Sequence, residues 1–219
     1  VVYNHTAENA NSWMNLTVPG YYYRLNEDGS FSNGSGCGNE VASERAMVRK
    51  YIVDSVVYWA SEYHLDGFRF DLMALIDMET MKQVRAELDK IDPSIIILGE
   101  GWTGGDSYHP TNTCAGTKYI PAIQANASKL DPRIALFNDG IRDGIKGNCM
   151  GITNMGFVQG AKTSAKDISY GIRANTVGNN GWKPAAPSQC VTYASAHDNA
   201  TLYDRLVNST GKGVAPDYT

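Results

Sequence analysis

Apolar and polar positions along the chain switch between two periods, and the switching predicts alternating strands and helices. Val48, Ile52, Val56, Trp59 and Tyr63 recur at three- and four-residue intervals. They predict a helix starting near Ser43, with Ser43 as its cap, Glu44 in its first turn and the apolar stripe turned to the core. Leu65 to Asp71 follows as a strand. A second helix is predicted with Asp77 as cap and Met78, Met81, Val84, Leu88 and Ile91 on its buried face, and Pro93 stops it. The run SIIILGE predicts a buried strand, because consecutive β-branched residues suit a parallel strand covered by helices. RIALFND (Arg133 to Asp139) predicts another strand, GIRDGIKG a short helix after it, and CVTYASAHDN (Cys190 to Asn199) a final strand. Val1 to Tyr3 reads as the tail of an earlier strand. From there to about Ala42 the chain is rich in Gly, Asn, Ser and Tyr, including GYYYRLNEDGSFSNGSGCGNE, and predicts a long loop. Loops of that length are usually functional, which makes it a candidate wall for a bound substrate.

Strand–helix repetition without a dividing Pro/Gly linker predicts an α/β fold with a parallel sheet, in one domain over residues 1–219. Each predicted strand ends in a polar cluster: Asn4-His5, Arg69-x-Asp71, Glu100, Asn138-Asp139 and His197-Asp198. In a barrel of parallel strands these ends converge on one face, where catalytic side chains come from several strands. A single ligand site accounts for all five clusters.

The stretch DGFRFDLMALID shows how a strand could carry charge. With period two, Gly67, Arg69 and Asp71 share one face and Phe68 and Phe70 the other. The phenylalanines would pack under helices while Arg69 and Asp71 point into the barrel mouth, where the arginine favours an ionised Asp71. An ionised carboxylate is a nucleophile. Glu100 ends an apolar strand beside Trp102, a setting expected to raise a carboxyl pKa by desolvation and to suit a general acid. Two carboxyls in different environments divide into two roles, and glycoside hydrolysis with retention uses such a pair. Asp198 would be a third carboxyl holding sugar hydroxyls, with His5 and His197 donating to the same ring. Trp102 and the tyrosines Tyr21 to Tyr23 read equally as loop anchors, His64 reads as a helix-end residue, and His109 has no evident partner.

Composition narrows the class. With 219 residues and 42% hydrophobic content the chain can bury a sizeable core, and its net charge of -4 with scattered Lys and Arg gives no footprint for nucleic acid or an anionic membrane. No apolar run approaches a membrane span. Cys37, Cys114, Cys149 and Cys190 are far apart and include no CxxC pair, which predicts free thiols and neither a zinc site nor a disulfide framework.

VVYNHT, DGFRFDLM, ILGEGW and YASAHDN resemble, in order and approximate separation, the four signature regions of the alpha-amylase superfamily, glycoside hydrolase family thirteen. GEGW, the loop GYYYRLNEDGSFSNGSGCGNEVASER and the segment FNDGIRDGIKG resemble the bacterial type I pullulanases within it, which debranch starch at α-1,6-glucosidic bonds. The resemblance implies a (β/α)8 TIM barrel and a retaining hydrolase with Asp71 as nucleophile, Glu100 as acid/base and Asp198 as transition-state stabiliser. It further implies that Arg69 orients the nucleophile and that His5 and His197 bind the glucose at the cleavage point; Trp102, Asn199 and Tyr3 are expected to contact the α-glucan beside them. The first region normally opens with an aspartate just before VVYNHT, the marker YNWGYDP is expected upstream, and DLMA at Ala74 stands where DLMG is frequent. A whole barrel needs roughly 250 residues and eight strands. Only about strands three to seven are expected here, as part of a longer enzyme, and that part made alone is expected to aggregate or to lack activity.

Three functions fit these residues: α-1,6 debranching of pullulan, starch or glycogen; α-1,4 hydrolysis or glucan transfer by a related enzyme; and glucan binding without catalysis on Trp102 and the tyrosine-rich loop. All three carboxyls together favour catalysis. No Asp/Asn cluster has calcium-loop spacing, so no metal and no cofactor is expected, although Asn4 stands where some relatives ligate calcium. A bacterial protein, cytoplasmic or secreted, is the expected setting.

Overall fold

The computed structural model describes residues 1–105 and 119–211; His109 and Cys114 lie outside the described residues. The chain divides into two compact units, Val1–Leu136 and Phe137–Thr219.

In the first unit a short helix, α1 (Trp13–Thr17), is capped by the Ser12 side chain, which accepts from the Asn15 amide. The long helix α2 (Ala46–Tyr63) leads to strand β1 (Gly67–Phe70), helix α3 (Met78–Ile91) and strands β2 (Ile96–Gly99) and β3 (Ile134–Phe137). β1 pairs with β2, and β2 with β3, both in parallel. Pairing of Phe68 with Ile97 and of Ile97 with Ile134 lines apolar side chains across the sheet, all three nearly or fully buried. α2 and α3 cover it with Val48, Ile52, Val56, Met81, Val84 and Leu88. Burying each such side chain contributes about 1.5–3 kcal/mol, which outweighs the weak intrinsic preference of four-residue strands.

Helix α3 forms as its sequence predicts: the Asp77 carboxylate accepts from the Thr80 amide, Glu79 lies in the first turn and Lys90 in the last. Helix α2 differs from expectation at its start and on its outer face. Arg45 occupies the cap position with no capping hydrogen bond from its side chain, which donates instead to the Gly20 and Tyr21 carbonyls, while Ser43 Oγ accepts from the Asp77 amide at 2.8 Å. Tertiary contact thus takes the hydroxyl that local pattern assigns to capping. Trp59 and Tyr63 are exposed, and Val53 and Ala60 are buried instead. The displaced rings pack against each other at a tilt of 47°, with centroids 4.6 Å apart. His64 ends α2 in the left-handed region at φ 54°. Ile91 is also exposed, at the last turn of α3.

Val1–Tyr3 forms no regular strand, although the Val1 carbonyl accepts from the Asp71 amide at 3.0 Å, which draws this segment alongside the end of β1. The predicted long loop contains α1 and the isolated antiparallel bridges Tyr23–Val41 and Leu25–Phe31. A buried arginine ties it down: Arg24 pairs with Glu44 at 2.8 Å and donates through Nη1 to the Leu75 carbonyl at 2.9 Å. The Tyr119 ring packs over its guanidinium at 3.7 Å.

The second unit holds helix α4 (Asp139–Lys146), helix α5 (Ala165–Ile172), the two-residue strand β4 (Cys190–Val191) and helix α6 (Leu202–Thr210). Asn138 caps α4 by accepting from the Ile141 amide, and its own amide donates to the Val191 carbonyl at 3.0 Å. Gly171 of α5 lets that helix close on α4: a Cβ there would sit 2.4 Å from Ile141 Cβ. The strand predicted over Cys190–Asn199 stops at Val191, and further along the same segment the backbone reaches φ 65° at Asp198. Cys37, Cys149 and Cys190 are free thiols. No helix of the described residues is long and apolar enough to cross a membrane.

Candidate active site

Strict alternation along β1 separates its two faces. Phe68 and Phe70 are buried, while Arg69 and Asp71 are partly open, with 28% and 22% of their side chains accessible. Arg69 Nη1 donates to Asp71 Oδ1 at 2.7 Å. The other oxygen, Oδ2, accepts from Asn4 Nδ2 at 2.8 Å, and the same nitrogen reaches the Asp71 carbonyl at 2.8 Å. Asn4 is fully buried. Its amide orientation is fixed by those two donations, so its oxygen accepts from His5 Nδ1 at 2.5 Å. His5 therefore carries a hydrogen on Nδ1. Burial pushes the Asp71 carboxyl up, but the hydrogen bonds from Arg69 and Asn4 and the charges of Arg69 and His5 outweigh it, and the group lies below the usual carboxylate range.

Register brings Glu100 beside Asp71. Phe70 pairs with Gly99, the Glu100 amide donates to the Phe70 carbonyl at 3.1 Å, and the next residue on each strand is a carboxylate. Gly99 is required at this crossing: a Cβ would come 2.8 Å from both the Phe70 carbonyl oxygen and Met73 Cβ. Glu100 Oε1 accepts from Arg69 Nη2, and Oε2 accepts from the Leu72 amide at 3.0 Å. Leu72 reaches that position in a left-handed conformation, φ 37°, an unusual one for a branched apolar residue. Glu100 is buried at 5% exposure, yet its carboxylate faces a guanidinium and a backbone donor. The apolar seat expected from ILGEGW describes the strand and not the carboxylate.

Trp102 is half-buried two residues beyond Glu100. The turn after it lies against the long loop, with the Gly104 and Gly105 amides donating to the Gly34 carbonyl at 3.0 and 2.9 Å. Tyr3 directs its hydroxyl to Ser55 Oγ of α2 at 2.7 Å and its ring to Phe70. The first unit thus gathers His5, Arg69, Asp71 and Glu100, and places Tyr3 against α2.

His197, Asp198 and Asn199 lie in the second unit. His197 Nε2 is 3.3 Å from Asp198 Oδ2, and both side chains are largely open. Asn199 is engaged in the turn itself: Nδ2 donates to the His197 carbonyl at 3.1 Å and Oδ1 accepts from Lys146.

Two contributors escape sequence reading. Asn4 holds Asp71 across 67 positions, and only its place in the Asn4-His5 cluster signals it. The Leu72 amide has no sequence signal, because backbone donors carry none.

No protein-family model matches the chain. Pullulanase of Bacillus subtilis is 42% identical over 211 residues, which is 94% of this chain and 28% of that protein. Chloroplastic pullulanase 1 of Arabidopsis thaliana is 32% identical over 99% of the chain and 27% of its own length. Among solved structures, pullulanase of Paenibacillus barengoltzii in complex with maltohexaose and alpha-cyclodextrin superposes with a TM-score of 0.87 at 42% identity, covering 98% of this chain and 32% of that one. Pullulanase of Anoxybacillus sp. LM18-11 complexed with maltotetraose gives 0.84 at 43% identity, over 96% and 29%. The chain spans about a third or less of the length of these relatives. The parallel sheet and its covering helices are the corresponding part of an α/β TIM barrel. By sequence and by fold, nearly the whole of this chain is homologous to part of the pullulanases.

Proposed function

We propose that these residues supply the nucleophile and the acid/base of a retaining glycosidase that cleaves α-1,6-glucosidic branch bonds of pullulan, starch or glycogen. One observation carries the reading: a single guanidinium, Arg69, donates to Asp71 through Nη1 and to Glu100 through Nη2. Carboxylates sharing the two ends of one guanidinium are close neighbours. This fits the roughly 5–5.5 Å spacing of a retaining pair better than the 6.5–9.5 Å that leaves room for an attacking water. The identity to pullulanases favours α-1,6 over α-1,4 bonds, and the solved relatives carry maltooligosaccharides, which favours an α-glucan as partner.

In the first step an Asp71 oxygen bonds to the anomeric carbon as the bond to the branch oxygen breaks, and Glu100, which must enter this step protonated, gives its proton to that oxygen. Arg69 and Asn4 keep Asp71 ionised and aimed. In the second step a water gives its proton to Glu100 while its oxygen displaces Asp71 from the anomeric carbon. Within the first unit, His5 and Trp102 hold the sugar ring. For Asp198 and His197 of the second unit, the resemblance of YASAHDN to the fourth signature region supports the roles of transition-state carboxyl and sugar contact.

Reducing-end release from pullulan and from amylose by the full-length protein tests the proposal. Release from pullulan alone, lost by about 10³-fold or more in Asp71→Asn and in Glu100→Gln, is the expected result. Shortening of amylose with pullulan intact would replace the bond specificity, and binding of glucan without release of ends would replace the catalytic reading.

A further inference from the structure

Lys146, the last residue of α4, is fully buried, and among the described residues it makes no ion pair. Its ammonium donates to two neutral oxygens instead, the side-chain Oδ1 of Asn199 and the carbonyl of Ala200 at 2.9 Å. Burial pushes this ammonium below the usual lysine range, and the nearby cations Arg142 and Arg205 push it further. Asp143, one turn back, offsets this only in part, and a buried lysine bonded to neutral oxygens is costly to fold, so its place needs a geometric reason.

The bonded partners supply one. Asn199 also donates to the His197 carbonyl at 3.1 Å, and the Leu202 amide at the start of α6 donates to Ser195 Oγ at 3.1 Å. Asp198 sits between these fixings in the left-handed region at φ 65°, which aspartate tolerates better than most side chains and which places the residue at the apex of the turn. The Asp198 side chain is 80% accessible, and among the described residues His197 Nε2 stands 3.3 Å from its carboxylate. α4 is anchored in turn: the Lys146 carbonyl accepts from Gln159 Nε2 at 3.0 Å, and Cys149, just beyond the helix, gives its carbonyl to Arg205 of α6 at 3.2 Å.

We infer that Lys146 is a positioning residue for the turn that presents Asp198, acting through Asn199 and Ala200 and touching no substrate. The inference rests on the proposed role of Asp198 in glycoside cleavage. A carboxylate that must meet a transient positive charge loses its effect when displaced, and a misplacement of about 1 Å can reduce turnover about 10²-fold.

The test uses the full-length protein and the variants Lys146→Met, Lys146→Gln and Asp198→Asn. Lys146→Met should lower kcat on pullulan by about 30- to 100-fold while KM changes less than about threefold, and Lys146→Gln, which keeps one donor, should recover part of the loss. In the Asp198→Asn background the same Lys146→Met change should have little further effect on kcat, because the group it positions is already gone. Unchanged kcat, or a loss that simply multiplies with that of Asp198→Asn, overturns the inference. Hydrogen exchange decides independently of activity. Lys146→Met should speed exchange of the Asn199 to Leu202 amides and leave the amides of α2 unchanged. Faster exchange in a protein inactive on every glucan would support the anchor and sink the catalytic reading, whereas unaltered exchange overturns the anchor. Should Lys146→Met fail to fold, Lys146→Gln carries the same kinetic and exchange comparisons.

Discussion

Arg69 stands between Asp71 and Glu100, donating to the first through Nη1 at 2.7 Å and to the second through Nη2. Its planar, two-ended guanidinium sets the relation between the carboxylates as well as their charge, and lysine, a single-point donor, cannot do both. Arg69→Lys should therefore lose about 10²-fold or more in kcat on pullulan while the full-length protein stays folded. Near-parent turnover in that variant would show that charge, not two-point geometry, is what the site needs. Circular dichroism of the same preparation checks that the fold survives.

Asn4 gives a prediction in pH. Burial pushes the Asp71 carboxyl up, and the donors Arg69 and Asn4 more than offset it, so the folded pKa is depressed. A depressed carboxylate stabilises the fold above its unfolded pKa of about 3.9, and that stabilisation is lost as pH falls through the folded value. Asn4→Ala removes one donor and lets burial count for more, so the folded pKa of Asp71 must rise. The acidic limb of kcat/KM should move to higher pH, and acid unfolding should begin at higher pH than in the parent. A profile whose acidic limb stays in place would mean that Asn4 does not bear on the Asp71 charge.

Gly99 tests how the strand crossing places Glu100. A methyl at this position would meet the Phe70 carbonyl oxygen and Met73 Cβ at 2.8 Å, and the backbone hydrogen bonds on either side leave it little room to yield. Gly99→Ala should cost about 1–3 kcal/mol of stability and lower kcat more than KM, because Glu100 moves with the strand. Thermal melts at one scan rate and steady-state kinetics measure the two effects. A variant with parent stability and activity would show that the crossing is looser than its contacts indicate.

How much of this was legible in the sequence varies with the range of the interaction. Helix α3 was readable because its cap, its dipole-matched charges and its apolar stripe are all local, and the Asp77 side chain does cap it. Arg69 and Asp71 on one face of β1 follow from period two alone. Reading failed where tertiary contact overrides local preference. Ser43 leaves the cap of α2 to bind the Asp77 amide, and the outer stripe of α2 carries aromatic rings in tilted contact where its periodicity predicts core. The grip of Asn4 on Asp71 and the left-handed turn at Leu72 depend on groups far apart in sequence or on backbone angles, neither of which a residue pattern encodes.

Arg24 is the plainest case, since an arginine in a loop of Tyr, Asn and Gly reads as a solvated charge. The structure buries it fully, against Glu44 at 2.8 Å and Glu40 at 3.7 Å, with both carboxylates almost as deeply buried. Removing one member of a buried ionic set strands the other charges and costs about 3–5 kcal/mol, whereas replacing both partners with apolar groups is often neutral. Arg24→Met should accordingly destabilise the full-length protein severely. The double variant Arg24→Met with Glu44→Leu should recover part of the loss, and only part, because Glu40 retains its own bonds to Ser32 Oγ at 2.9 Å and the Gly34 amide at 2.8 Å. Because this network joins the loop to α2 and to the Leu75 turn that follows β1, the single variant should also become sensitive to proteolysis between Tyr21 and Asn39 before it unfolds globally. Limited proteolysis with mapped cleavage sites, run beside thermal melts of the three proteins, checks both parts. A single variant within about 1 kcal/mol of the parent, uncut in the loop, would mean that the ionic set neither holds the loop nor bears on the fold.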